Sequence, residues 1–460
     1  MSELARAVSP WPTTRPSARA AGESVAPWGF LEIFVILQVL APAILYLPGT
    51  QPLRVPIRML PFALSIAGLI YVFRATRDPR PHPAWFMLLA IVGYLTLMVL
   101  HPNTNSFLAG VAQVGLYVSV MAPVFWAPYL VRNTQQVFRV LTIILICNGI
   151  NAGVGVLQVV NPDRFLPAEY SSIVESIGGP VGYVTDDGKQ VVRPPGLSDS
   201  PGAVCGPATS AALLGFVALT LRIPWHFKVL AGAFAALGVA AIFLSHVRTN
   251  ILILGGMAIA YIIVLFVQRE TGRALLTAMV GFGLSFGAFV MAVGIGGSAV
   301  VDRFVTLVSD DPATVYYASG RGYMLQRDTS RYLEDHPLGA GLGRWGMMRY
   351  YFGNQDNPRS PSLWAELQWP AWALDGGWVL LLLYQGVVLR QLWYEWSLIT
   401  YRRDVVLRRI AGVVFAVNLG TVALIFGYTP FTNQVGLMYW FMAGTLHGLF
   451  VARTQPGQPA

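Results

Sequence analysis

Three arginines define the chemistry available to this chain. Arg193 stands in Val-Val-Arg-Pro-Pro-Gly-Leu (191–197), Arg248 in Ser-His-Val-Arg-Thr-Asn (245–250), and Arg321 in Ala-Ser-Gly-Arg-Gly-Tyr (318–323). A guanidinium grips phosphate oxygens bidentately through its planar fork and keeps its proton. Fixed cations aimed at a departing diphosphate lower the barrier to its release without a metal ion. The competing reading of each arginine is a side chain that snorkels to lipid headgroups or joins a loop salt bridge. Glu366 follows in Pro-Ser-Leu-Trp-Ala-Glu-Leu-Gln-Trp-Pro (361–370). A carboxylate there can accept a proton from an attacking hydroxyl, given suitable geometry; otherwise it is a helix-start residue near an interface. Trp364, Trp369 and Trp372 surround it. They offer faces for sugar rings, and an interfacial aromatic belt accounts for them equally well.

Other motifs point away from metals and nucleotides. The six histidines (His82, His101, His226, His246, His336 and His447) show no zinc spacing. Asp186-Asp187 and Asp310-Asp311 are adjacent pairs whose side chains diverge in either helix or strand, so shared metal ligation is unforced. The expectation is therefore no metal and no cofactor. Residues 319–335 read as a short helix that Ser319 can cap, with Arg331 four residues before Asp335 for a surface ion pair. Next comes His336-Pro-Leu-Gly-Ala-Gly-Leu-Gly343. Its alternating glycines suit a turn with positive φ or a close backbone approach, and they do not match the dinucleotide fingerprint. Cys147 and Cys205 fall at or inside apolar runs and read as small buried hydrophobes.

The elements that must position these residues are membrane helices. The chain has 460 residues, 55% hydrophobic and only 12% charged, with a mean hydropathy of +0.56. A soluble domain carries about 25% charged residues. That deficit excludes an ordinary soluble enzyme, a disordered tail and a nucleic-acid binder, even with a net charge of +9. Apolar runs long enough to be candidate spans lie near 29–47, 59–73 (the shortest), 84–100, 107–130, 138–160, 204–221, 229–245, 251–267, 274–294, 372–389, 410–427 and 435–452. The fold class is all-α and polytopic, with about twelve membrane helices.

Lysine and arginine asymmetry sets the orientation. With the N-terminus in the cytoplasm, the short outer loops keep only Arg54, Arg58 and Arg248, and the inner segments hold most of the remaining basic residues. Both termini are then cytoplasmic. The polar tail 1–28 has no apolar core of a signal peptide, so the first span reads as an uncleaved anchor. The organisation is a tail (1–28), five spans (29–160), an outer loop (161–203), four spans (204–295), a large and partly helical outer loop (296–371), three spans (372–452) and a second cytoplasmic tail (453–460). Arg193, Arg248 and Arg321 all fall on the outer side.

An ion-coupled transporter carries ionisable residues at mid-depth. The span interiors read as almost free of charge, with Glu32 and Asp375 near span ends. Asn148, Asn151 and Asn418 suit helix-packing hydrogen bonds, and Gly283 and Gly287 suit close helix contact. A transporter or flippase of a lipid-linked glycan is the alternative reading, and an inert partner of a polysaccharide assembly complex is a third.

The run Ser319-Gly-Arg…His336-Pro-Leu-Gly-Ala-Gly-Leu-Gly343, in a large outer loop late in a chain of about twelve spans, resembles the O-antigen ligase and polymerase superfamily. Arg193-Pro-Pro-Gly-Leu…Ser200-Pro201 is similar to that family's Arg-x-x-Gly…Asn-Pro-Asn element, and Ser245–Thr249 to its Ser-x-Ser-Arg-like element. The resemblance covers about residues 140–390. It implies a bacterial inner-membrane glycosyltransferase for O-antigen, lipopolysaccharide or exopolysaccharide. The implied donor is an undecaprenyl-diphosphate-linked glycan, the acceptor a glycan or lipid-linked hydroxyl, and a chain-length regulator a further partner. It further implies that Arg193 and Arg248 bind the diphosphate and that Arg321 sits in a helix over the site, with Trp364 and Trp369 beside the sugars. Ligases of the family place a His-Asn-x-x-Leu element before the span after the large loop. That region here has no histidine, and Glu366 takes roughly its place, which points toward a polymerase-like or exopolysaccharide-acting relative.

Overall fold

A computed structural model describes residues 27–47, 49–76, 80–167, 182–184, 190–198, 200–305 and 320–454. Helix makes up 77% of it. In hydrocarbon every backbone N–H and C=O must find a partner within its own segment, and long apolar runs meet that demand as helices.

Helix α1 (Phe30–Leu40) continues as a 3-10 turn, Ala41–Tyr46. Then follow α2 (Arg54–Ala75), α3 (Trp85–Met98), α4 (Phe107–Met121), α5 (Pro123–Leu130), α6 (Thr134–Val160) and the single turn α7 (Pro162–Phe165). After a hairpin of β1 (Gly182–Val184) and β2 (Gln190–Val192) come α8 (Cys205–Leu219), α9 (Trp225–Leu244), α10 (Arg248–Val267) and α11 (Thr271–Gly296). The late loop holds α12 (Ser298–Val305), α13 (Arg321–Asp335) and α14 (Gly346–Phe352). The chain then forms α15 (Gln368–Ile399), α16 (Val405–Ala423) and α17 (Gln434–Thr454).

Among the described residues nine helices, with α4 and α5 counted as one, are long and apolar enough to cross a membrane. Phe30–Tyr46, α3 and α8 are shorter apolar helices. Together they coincide with the twelve apolar runs, so the protein is an all-α polytopic membrane protein. The run at 59–73 proves to be a 22-residue helix. Its arginines Arg54 and Arg58 belong to the helix and had shortened the apolar signal. One departure from all-α is the short antiparallel hairpin between α7 and α8, with Tyr183 opposite Val191.

Small residues set the closest packing. A side chain at Gly215 would meet the Ala231 carbonyl at 2.7 Å, and one at Gly238 the Ala208 carbonyl at 2.6 Å, so α8 and α9 approach backbone to backbone. Gly283 and Gly287 do not serve this purpose, because no neighbouring atom lies within 4 Å of either position. They lie on the exposed face of α11, beside the exposed Phe282 and Phe286.

Two large apolar cores result, with a small third one of Ala340, Trp345, Ala371 and Leu374 where the late loop meets α15. One joins α1, α6 and α8 to α11 with α16 and α17, and the other joins α3, α4, α15 and α17. Cys147 and Cys205 are buried free thiols.

The spans hold more buried charge than expected. Glu32 pairs with Arg139 at 2.9 Å. Helix α15 continues to Ile399 instead of ending near 389, which brings Glu395 inside it. Glu395 is fully buried and accepts hydrogen bonds from Gln391 (2.8 Å) and from Asn418. Asn418 thus makes the helix-packing hydrogen bond its setting suggests, from α16 to a buried carboxylate on α15.

The alternating glycines form the predicted turn. Gly339, Gly341 and Gly343 have φ of 106°, 93° and 66°. This turn docks on a break in α15 at Gly376 and Gly377, where φ reaches 58°. Trp378 N donates to Pro337 O (2.9 Å), Ala340 N to Leu374 O (2.7 Å), and the Tyr94 hydroxyl to Leu338 O (2.8 Å). Beside the break Asp375 is fully buried and accepts from Gln113 (3.0 Å), Tyr117 (2.8 Å) and Trp345 (2.8 Å). One carboxylate thus ties the late loop to α4 and α15.

Helix α13 begins at Arg321, with Gly320 at the cap position and no side-chain cap. Ser319 lies outside the described residues, as do Asp186-Asp187, Asp310-Asp311 and the first 26 residues. The expected pair of Arg331 and Asp335 forms at 3.5 Å, largely exposed.

Candidate functional site

Arg54, Arg248 and Arg321 are each the first residue of a helix: α2, α10 and α13. None of these helices has an acidic residue in its first turn or a side chain capping its start. A helix N-terminus carries a partial positive charge and unsatisfied N–H groups, so each arginine there opposes the dipole by about 0.3–1 kcal/mol. Such an arrangement suits an anion, which relieves both charges at once.

These segments meet around Gly427, between α16 and α17. A side chain at Gly427 would lie 3.4 Å from Thr249 Cγ2 and 3.7 Å from Arg321 Nη1. The next residue, Tyr428, is half exposed and feels the charge of Arg58. Arg58 Nη2 donates to Ser200 Oγ at 3.2 Å, which links α2 to the segment that carries Arg193.

That segment is pinned to α6. Gly196 N donates to Gln158 Oε1 (2.9 Å), Gln158 Nε2 returns a bond to Gly196 O (2.9 Å), and Leu197 N donates to Asn151 Oδ1 (3.0 Å). The Tyr46 hydroxyl also donates to Gly196 O. Asn151 thus holds the arginine-bearing loop and not a neighbouring helix, as its sequence setting had suggested.

Arg193 is half-buried, and its charge acts on both Cys205 and His246. The turn before Arg248 is tightly fixed. Cys205 Sγ donates to Ser245 Oγ (3.1 Å), Ser245 Oγ donates to Ile242 O (2.7 Å), and Arg303 Nε donates to His246 O (3.3 Å). His246 itself takes φ 57°, an uncommon left-handed conformation for a non-glycine residue. Burial, with the charges of Arg303 and Arg193, lowers its pKa to about 4, so the imidazole is neutral at ordinary pH. Among the described residues the Arg248 guanidinium makes no hydrogen bond or ion pair.

Glu366 lies two residues before α15 and accepts from Arg321 Nη2 at 3.0 Å. Both side chains are a little over one-third exposed, at 40% and 35%. Glu366 Oε2 makes no hydrogen bond among the described residues and remains open to an incoming hydroxyl. Trp364 is half exposed, and its carbonyl accepts from the Tyr332 hydroxyl on α13 (2.8 Å). Trp369 is half-buried, its ring 6.2 Å from that of Phe426. Trp372 leaves the candidate set, because it is fully buried and stacks on Tyr384 and Phe431 in the core.

The structure thus draws Arg58, Arg193, Arg248 and Arg321 with Glu366 to one end of the helical bundle. Arg58, Arg303 and Tyr428 were not singled out in the sequence. The signal available for Arg58 was its position one turn into a helix that starts with another arginine. Arg344 and Arg349 are buried in the late loop and donate to its carbonyls, Arg344 Nη1 to Ala340 O (2.9 Å) and Arg349 Nη1 to Ser360 O (2.8 Å). They staple the loop.

No protein-family model and no curated protein matches the chain.

Proposed function

We propose that the protein is a metal-independent glycosyltransferase of the cytoplasmic membrane of a bacterium, with both termini in the cytoplasm. It joins a polyprenyl-diphosphate-linked glycan to an acceptor hydroxyl at the outer face, as an O-antigen or exopolysaccharide polymerase or ligase does. The observation that supports this reading is the gathering of arginines at uncapped helix starts around Gly427, with a carboxylate bonded to one of them. In an interfacial setting that constellation favours a lipid-borne diphosphate over a free sugar.

In the proposed step the acceptor oxygen attacks the anomeric carbon, and Glu366 Oε2 takes its proton. The bond from that carbon to the diphosphate oxygen breaks, and the electron pair leaves with the diphosphate. Arg248 and Arg193 stabilise the new charge, while Arg321 orients Glu366 and the donor. Trp364 and Trp369 border the sugar path. A single displacement inverts the anomeric centre. Replacing Arg248 with alanine tests the assignment. Product is expected to vanish while insertion and expression persist, and wild-type product levels would remove Arg248 from the site.

A flippase is the second reading. Buried Glu395 and Asp375, on the same helix, give it more support than the sequence did. Headgroup translocation in liposomes without a new glycosidic bond would select it.

A further inference from the structure

At the opposite, basic end of the bundle an apolar cavity of about 120 Å³ opens among α6, α8, α9 and α16. Leu141, Leu145, Leu214, Ala218, Leu230 and Val413 are among its walls. The one hydroxyl on its lining, that of Thr142, is spent on the Phe138 carbonyl at 2.8 Å. An ordered water needs at least two polar partners, so this cavity does not hold one, and an apolar cavity of roughly 150 Å³ binds hydrocarbon instead. Leu230, at 40% exposure, opens it to the surface of the bundle.

The rim carries charge. Arg222 lies between the lining residues Leu221 and Ile223, and Lys228 follows the lining residue Phe227. Neither makes an ion pair among the described residues. Among the described residues, acids at this end are engaged elsewhere: Glu32 by Arg139, Glu270 by Arg273 and Arg409, and Asp404 by Arg453. Trp225, 76% exposed, completes an interfacial rim.

We propose that this cavity is a binding site for a short segment of one acyl chain of an anionic phospholipid from the leaflet at the basic end, with Arg222 and Lys228 on its headgroup. The hydrocarbon enters beside Leu230 and lies against Ala218 and Leu145. The phosphate remains at the level of the rim, where basic residues attract an anionic headgroup. The site is separate from the arginine cluster at the other end and does not depend on its function.

The test uses the full chain in vesicles of phosphatidylcholine doped with phosphatidylglycerol that carries a diazirine on its acyl chain. Irradiation and peptide mapping should place label on 138–146 and 214–231. Ala218→Phe, which fills the cavity, should cut that label about tenfold, equivalent to about 1.4 kcal/mol, with label on α11 unchanged. The milder Ala218→Leu should give a smaller loss in the same direction if the larger side chain impairs folding. Arg222→Gln with Lys228→Gln should lower labelling by phosphatidylglycerol about thirtyfold and leave labelling by a matched phosphatidylcholine probe unchanged. Equal labelling by the two probes in the wild type would overturn the headgroup role. Label spread evenly over all exposed helices would overturn the site. Label appearing on these peptides only after removal of residues 1–26 would show that the chain's own tail fills the cavity, and would also overturn it.

Discussion

Glu366→Gln separates a chemical role for the carboxylate from a structural one. The pair with Arg321 spans 3.0 Å but is more than one-third exposed at each partner. Two unit charges near 4 Å interact by about 4 kcal/mol at an effective dielectric of 20 and about 1 kcal/mol in water. Measured exposed pairs retain about 0.2–1 kcal/mol after side-chain entropy and screening. Glutamine keeps the size of the side chain and one acceptor oxygen toward Arg321. The loss of stability should therefore stay below about 1 kcal/mol, a fall in Tm of less than about 3 °C. Loss of a general base costs about 10²–10⁴ in rate, or roughly 3–5 kcal/mol of barrier. The assay is transfer from a polyprenyl-diphosphate-linked donor in proteoliposomes, paired with thermal unfolding of the same preparations. The account expects a rate at least about a hundredfold lower at nearly unchanged Tm. The swap Arg321→Glu with Glu366→Arg should restore the ion pair without restoring transfer. A Glu366→Gln protein that keeps a rate within about threefold of wild type would refute the proposed base, since about 0.7 kcal/mol is all that such a change represents.

Asp375→Ala should lower stability by about 1–3 kcal/mol, because Gln113, Tyr117 and Trp345 lose their shared acceptor. Asp375→Asn should cost less, and thermal unfolding in detergent distinguishes the two. Gly377→Ala places a methyl 2.0 Å from the Pro337 carbonyl at a φ of 58°, so the late loop should detach and become sensitive to protease between 320 and 360. Equal proteolysis of wild type and variant would contradict that docking. The pKa of His246 falls from an ordinary 6.5 to about 4 in the folded protein, so the unfolded chain binds the extra proton between those values. Stability should fall as pH drops from about 6.5 toward 4. His246→Asn, which tolerates the positive φ, should flatten that dependence in pH-resolved unfolding.

The spans were legible because about twenty consecutive apolar residues have few alternatives to a membrane helix. Leu252–Val267 and Val435–Phe450 needed no tertiary information to be found. What sequence obscured lay where polar residues belong to helices. Arg54 and Arg58 shortened α2 on paper, and Glu395 lay beyond the apparent end of α15. The glycine turn was legible as backbone geometry, since Gly339, Gly341 and Gly343 alternate too regularly for a helix. Its docking partner at Gly376–Gly377 was not, because Ala340 and Leu374 are close only in space. Within the candidate site, Arg321 and Glu366 were each visible as chemistry-bearing residues, but their hydrogen bond follows from how α13 folds over the start of α15. Arg58 escaped notice for a similar reason: its partner Ser200 is 142 residues away. Trp372 illustrates the opposite error, since three nearby tryptophans look equivalent in sequence while helix phase sends one into the core.

The central claim is that the arginines gathered at one end of the bundle hold a lipid-borne diphosphate while its sugar is transferred. It is tested most directly by reconstituting the purified protein with a labelled polyprenyl-diphosphate glycan and an acceptor glycan, and measuring released polyprenyl diphosphate against new glycosidic bonds. The account predicts equal amounts of the two, and neither with Arg248→Ala. Donor carried across the bilayer with its sugar–diphosphate bond intact, or equal product from the Arg248→Ala protein, would contradict it.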